Sequence, residues 1–171
     1  MSGTYCTYME SPVGTLLLVS RDGSLARIEF ESRKKPASPG AGWVQSDAPF
    51  RDVVRQLEGY FAGRRRTFDL PVVPTGTPFQ LATWSAPREI PYGETRSYSE
   101  IARSIGRPRA VRAVGAANGR NPVPIVIPCH RVIGASGDLI GFGGGIPVKR
   151  YLLELEGGGS LFHSTRKQAR L

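Results

Sequence analysis

The stretch Asn121-Pro122-Val123-Pro124-Ile125-Val126-Ile127-Pro128-Cys129-His130-Arg131 constrains this chain more than any other. Three prolines set φ near −65° at their positions and remove three N–H donors, so the approach to the single thiol is stiff. Val123, Ile125, Val126 and Ile127 are the residues that would bury it. Burial raises a thiol above its ordinary pKa of roughly 8.5 and makes it inert, whereas an imidazole or a helix N-terminus nearby lowers it. Two readings follow. One is a core cysteine at the end of a buried strand, the common fate of a free cysteine. The other is a rigidly presented nucleophile. His130 and Arg131 favour the second, because a core strand rarely carries two such groups in succession.

The rest of the composition narrows the class of protein. The chain has 171 residues, 40% hydrophobic and 22% charged, which suits a soluble globular protein of one domain or two small ones with a real core. No apolar stretch approaches the ~20 residues that span a bilayer, and the opening Met1-Ser2-Gly3-Thr4 is not a signal peptide, so no membrane association and a cytoplasmic location are expected. Cys6 and Cys129 cannot form a disulfide framework, and with only His130 and His163 besides them a four-ligand zinc site is not expected. The net charge of +9 is uneven: residues 78–155 carry ten basic and five acidic side chains. Such a balance favours a polyanionic partner through counterion release.

In chain order, residues 4–30 read as three strands, Thr4–Met9, 14–20 and 25–30, with an Asp22-Gly23 hairpin signal between the last two. Cys6 falls in the first strand and reads as structural. Residues 32–42 form a loop whose Lys34-Lys35 pair is a solvated surface. Residues 47–62 carry apolar side chains at helical spacing (Phe50, Val53, Val54, Leu57, Tyr60, Phe61), with Asp47 as N-cap and Gly63 beyond the end. Arg64-Arg65-Arg66 suits a solvated helix terminus. Residues 68–70 are a candidate short strand, and 71–76 a linker, giving a small N-terminal domain over 1–75. Thr77 and Pro78 open a helix whose apolar face is Phe79, Leu81, Ala82 and Trp84, and Pro87 shortens or kinks it. Helices over 97–105 and 110–118, joined by Gly106-Arg107-Pro108-Arg109, read as a helix-turn-helix within a second domain, 76–157. The second of these is small-sided (Ala110, Ala113, Gly115, Ala116, Ala117), which fits either tight helix packing or a close approach to another surface. A last helix covers 148–156. Residues 158–171 read as a flexible basic tail, with Arg166, Lys167 and Arg170 adding non-specific affinity.

Together the motifs resemble the O6-alkylguanine-DNA alkyltransferase family, the methylated-DNA–protein-cysteine methyltransferases. They are Thr77-Pro78-Phe79-Gln80, Ile90-Pro91-Tyr92-Gly93-Glu94-Thr95, Ser97-Tyr98, Arg112-Ala113-Val114-Gly115, Pro128-Cys129-His130-Arg131, Gly141-Phe142-Gly143-Gly144-Gly145 and Leu152-Leu153-Glu154-Leu155-Glu156-Gly157. The resemblance covers about half of the chain in the family's order and spacing. It implies an RNase H-like α/β N-terminal domain, a small sheet plus a helix, followed by a mostly α-helical, winged-helix-like domain with the helix-turn-helix. It implies that the alkyl group of O6-alkylguanine in double-stranded DNA passes irreversibly to Cys129, with O4-alkylthymine as a second candidate substrate.

The roles it implies are specific. His130 is the base, reached through a bridging water, and Glu156 orients its imidazole. Tyr98 donates a proton to the departing guanine, and Asn121 holds the site's backbone. The helix 110–118 enters the minor groove, where small residues are needed, and Arg112 fills the space of the flipped nucleotide. Ala110, Ala113, Gly115 and Arg131 join it in contacting DNA. Residues 141–145 close over the base, with Phe142, Gly143, Gly144 and Lys149 as the loop residues. Phe142 stands where some relatives carry tyrosine, and Gly143 where serine or alanine is common, so neither offers a hydroxyl. No cofactor and no metal are implied, and the protein is expected to be a monomer. The alternatives are a non-catalytic lesion sensor or DNA-binding regulator, which the presence of Cys129 opposes, and a cysteine hydrolase, which the helix-turn-helix and Arg112 oppose.

Overall fold

The computed structural model describes residues 2–32 and 36–157. The Lys34-Lys35 pair, His163 and the tail 158–171 lie outside the described residues. The chain divides into two compact units, Met1–Thr75 and Gly76–Leu171.

In the first unit, β1 (Thr4–Met9), β2 (Leu16–Arg21) and β3 (Ser24–Phe30) form an antiparallel meander. Asp22 and Gly23 both have positive φ, 51° and 84°, as a two-residue hairpin of the primed type requires. A short β4 (Val44–Gln45), not marked in the sequence by any run, pairs parallel to β1 and completes the order β3-β2-β1-β4. β2 is buried from Leu16 to Ser20 because both faces are covered. Leu17 and Val19 pack with Cys6, Ala37 and Trp43. Thr7, which pairs with Leu18 on the other face, hydrogen-bonds the Asp47 side chain where the helical segment begins. A 3₁₀ turn, Ala48–Phe50, leads into α1 (Arg51–Phe61), which buries Val53, Gln56, Leu57 and Tyr60. Each such apolar side chain contributes about 1.5–3 kcal/mol. Gly63, at φ 75°, ends the helix: its N–H reaches Tyr60 O, and Arg64 N–H reaches Gly59 O at 2.9 Å.

Two expectations for this unit need correction. Asp47 makes no capping bond, because its carboxylate is taken by Thr7. No strand forms at 68–70, because the Gln56 amide bonds both Asp69 N–H (2.8 Å) and Asp69 O (3.0 Å), occupying that backbone. Strand-like pairing appears only at Val72, as a single parallel bridge to Leu25.

The second unit opens with α2 (Pro78–Ser85), capped reciprocally by Thr77 and Gln80 at 3.1 and 3.0 Å. Pro87 follows in a tightened 3₁₀ turn, Ala86–Glu89. The buried face of α2 is Thr83 and Trp84; Leu81 and Ala82, expected to face inward, are exposed. Trp84 Nε1 donates to Ala117 O at 2.8 Å, and that tether sets the helix rotation. β5 (Arg96–Ser97) is followed at once by α3 (Tyr98–Ser104), with a Ser97/Glu100 capping box. Gly106, at φ 75°, turns the chain into α4 (Val111–Asn118). Ile101, Ala102 and Val114 share one core cluster with Ile90, Tyr98 and Val132. β6 (Val132–Ile133) pairs parallel with β5, and α5 (Ile146–Leu155) closes the described chain. α5 starts at Ile146 rather than Val148, since Gly145 (φ 93°) and Pro147 set its first turn. The β5–β6 pair matters most for the site: Tyr98 directly follows β5, and Cys129–Arg131 directly precede β6.

Candidate active site

Cys129–Arg131 form a 3₁₀ turn, not the end of a strand. Adjacent side chains in a strand point to opposite faces, whereas three residues per turn place them about 120° apart. The approach is locked by Asn121, whose Oδ1 accepts from Val123 N–H and whose Nδ2 donates to Ile127 O, both at 2.9 Å. Within this loop Ile125 sits at φ 75°, a left-handed conformation costly for a β-branched residue, about 1–3 kcal/mol. Ile127 N–H to Val123 O (2.9 Å) and Cys129 N–H to Ile127 O (2.7 Å) help to hold it there.

Cys129 is 2% exposed, and burial pushes its thiol up to about 11, with Asn121 and Lys149 pulling the other way. His130 is fully buried, its Nε2 2.7 Å from Glu156 Oε2. Burial lowers the imidazole pKa, and Glu156 opposes that shift. Among the described residues His130 Nδ1 has no hydrogen-bond partner, so it is the nitrogen available to accept a proton. Glu156 stands at the end of α5, where Gly157 (φ 89°) turns the chain. Burial would raise its carboxyl, yet His130 and Arg131 hold it at about 2.

Arg131 is the clear correction. Expected to contact DNA, it is buried, and each guanidinium nitrogen donates inside the protein. Nε reaches Glu156 Oε1 at 2.8 Å, Nη2 reaches Glu156 Oε2 at 3.1 Å, and Nη1 reaches Ile90 O at 2.8 Å. Three of its five N–H groups are thus spent inside the protein, and with the side chain only 9% exposed the guanidinium faces Glu156 and not the solvent.

Tyr98 donates its hydroxyl to Ile140 O, and burial first, then Cys129, push its pKa up to about 12. Lys149 is wholly buried, and its ammonium reaches Val132 O (2.6 Å), Ile140 O (2.7 Å) and Tyr98 Oη (3.2 Å). Burial depresses its pKa to about 8. Lys149 thus ties the loop at Ile140 to β6 and to Tyr98. Phe142 is buried, Gly143 is exposed and Gly144 is half-buried. A methyl on Gly143 would stand 3.0 Å from Gly119 O, and one on Gly141 2.9 Å from Tyr98 Oη, so the loop lies directly on the end of α4. On α4, Arg112 and Ala113 are exposed and Gly115 is half-buried, with half-buried Ala110 just before it.

Sequence reasoning missed Asn118, whose Nδ2 donates to Cys129 O at 3.2 Å from the buried side of α4. Its signal was a polar residue on the apolar stripe of Val111, Val114 and Asn118. The Ile140 carbonyl had no signal, being backbone. Among the described residues no three His, Cys, Asp or Glu side chains converge as a metal site would require.

Fold and site together define a helix-turn-helix domain carrying a buried Cys-His-Glu set, preceded in the sequence by a small sheet-and-helix domain. Residues 4–74 match the model of the 6-O-methylguanine DNA methyltransferase ribonuclease-like domain, and residues 78–158 that of its DNA binding domain. The methylated-DNA–protein-cysteine methyltransferase of Methanosarcina acetivorans is 50% identical over 153 residues, covering 90% of this chain and 98% of that protein. The one from Mycobacterium leprae is 48% identical, covering 89% and 92%. A crystal structure of Mycobacterium tuberculosis OGT in complex with DNA superposes with a TM-score of 0.82 at 48% identity, covering 89% and 92%. The chain belongs to the 6-O-methylguanine DNA methyltransferase family.

Proposed function

We propose that this protein performs direct-reversal DNA repair: it takes an O6-alkylguanine out of double-stranded DNA and accepts the alkyl group, methyl first, on Cys129, once per molecule. O4-alkylthymine is a second candidate substrate. The observation that carries this reading is the buried set Cys129, His130 and Glu156 on a helix-turn-helix scaffold, with His130 Nε2 2.7 Å from the carboxylate. Exposed Arg112 and Ala113, with half-buried Ala110 and Gly115, present a small-sided surface with one long cation. That surface suits the minor groove. Extruding a base costs a few kcal/mol, and Arg112 in the vacated space offsets part of it.

The reaction is an in-line displacement. The Cys129 proton goes to His130 Nδ1, directly or through one water. Sulfur bonds the alkyl carbon as the carbon–O6 bond breaks, and the guanine leaves with a proton from Tyr98. Tyr98 must release Ile140 O to do this, and Lys149, 3.2 Å from its oxygen, stands beside the phenolate that forms. No electrons are gained or lost, so the balance calls for no cofactor. The thioether has no ready leaving group, hence the single turnover. All these groups lie in the unit Gly76–Leu171, so a monomer suffices. The expected location is the cytoplasm; among the described residues no helix is long and apolar enough to cross a membrane.

Intact-protein and peptide mass spectrometry after mixing with an O6-methylguanine duplex tests the reading. One added methyl on the Cys129 peptide is expected, and Cys129→Ala gains none while still binding DNA. Bound DNA without an adduct would move the function to lesion recognition, and repeated turnover without one to hydrolysis. Arg112→Ala should weaken binding and slow repair; repair of duplex at the wild-type rate would sink the role given to that side chain.

A further inference from the structure

We propose that Arg131 is a positioning residue that sets the basicity of His130 by sharing the Glu156 carboxylate. The inference rests on the reading of Cys129 and His130 as the reacting pair.

Both carboxylate oxygens take a guanidinium nitrogen, at 2.8 and 3.1 Å, and the second oxygen also meets the imidazole at 2.7 Å. The carboxylate plane is therefore fixed by a two-pronged contact before His130 is considered. Nη1 is anchored on Ile90 O at 2.8 Å, and the guanidinium lies 5.7 Å from the Tyr92 ring centre, so the fork itself cannot swing. Tyr92 Oη in turn donates to Leu155 O, next to Glu156.

The electrostatic consequence follows from burial. A buried carboxylate facing only an imidazole would draw a proton onto it, and an imidazole that already holds the proton cannot accept one from a thiol. Arg131 neutralises that carboxylate. It leaves His130 neutral, with Nε2–H aimed at Glu156 and Nδ1 bare. The groups facing His130 act in a consistent pattern: Glu156 from the end of α5 raises its pKa, while Arg131 from its own turn and Lys149 from α5 lower it. Cys129 precedes His130 in the same 3₁₀ turn, and its charge acts on Tyr98.

The test is an NMR titration of the His130 ring in wild type, Arg131→Gln and Arg131→Lys, paired with the pH dependence of single-turnover methyl transfer from an O6-methylguanine duplex. Gln keeps hydrogen-bond donors but no charge; Lys keeps the charge but no fork. Arg131→Gln should raise the imidazole pKa, and the acid limb of the rate profile with it, by about one unit. Arg131→Lys should leave the limb in place and lower the plateau several-fold. An unmoved imidazole pKa in the Gln protein overturns the proposal, and so does a moved pKa with an unmoved limb. Should the Gln protein not fold, the Lys protein decides, because an unchanged plateau contradicts the fork. If wild type transfers no methyl, the repair reading fails, and the ring titration alone still decides the electrostatics of Arg131.

Discussion

Burial alone would raise the Glu156 carboxyl, but its two partners hold it at about 2 against an ordinary 4.5. A carboxyl whose pKa is depressed on folding stabilises the folded state fully above its unfolded value. The contribution is lost as pH falls from 4.5 towards 2, and at full value it is at most about 3 kcal/mol. His130 adds to the same trend: burial depresses it, so below 6.5 the unfolded chain binds its proton more readily. Urea unfolding should therefore show stability falling from pH 6.5 to 3. Glu156→Gln, less stable at neutral pH because Arg131 loses its counter-charge, should fall less steeply. An equally steep fall in the variant would show that other carboxyls govern acid unfolding. At the same scale, a thiol held near 11 stays protonated at neutral pH.

At the scale of elements, α4 is the informative case. Its small residues fit tight packing or an outside surface equally well on sequence grounds. The structure separates these for Gly115, whose nearest neighbour to an added methyl is the Tyr98 ring at 3.9 Å, an ordinary contact. The fold itself leaves room there. Gly115→Ala should raise helix stability by up to about 1 kcal/mol, while weakening duplex binding on the order of tenfold. Thermal melts and a binding titration check both halves, and unchanged affinity would return α4 to a packing role. The loop before Cys129 shows the opposite balance. Ile125 is held in a costly conformation by neighbours on both sides, so strain is stored beside the thiol rather than relaxed.

At the scale of the whole molecule, charge is the lever. Of the net +9, more than half lies in residues 78–155. Arg103, Arg107, Arg109, Arg112 and Arg120 are all exposed around the helix-turn-helix. The logarithm of the duplex binding constant should fall linearly with the logarithm of salt concentration, and Arg109→Ala should reduce the steepness of that slope by about 0.9, one phosphate contact. A slope unchanged in the variant would place Arg109 away from the DNA backbone.

Local chemistry was readable from sequence alone. The hairpin at Asp22-Gly23, the Thr77 and Ser97 starts of α2 and α3, and Gly63 at the end of α1 all follow from near neighbours in the chain. The Cys129-His130 pair and its need for a carboxylate were legible through the family's motifs. Tertiary structure decided what depends on distant partners. Gln56 took the backbone that residues 68–70 would have used for a strand, and Trp84, bonded to Ala117, rotated Leu81 outward. Arg131 reads as a surface cation beside a reactive cysteine. It is instead a buried partner of Glu156, 25 residues away, because only folding brings a carboxylate into an apolar interior and makes pairing with a cation the lower-energy choice.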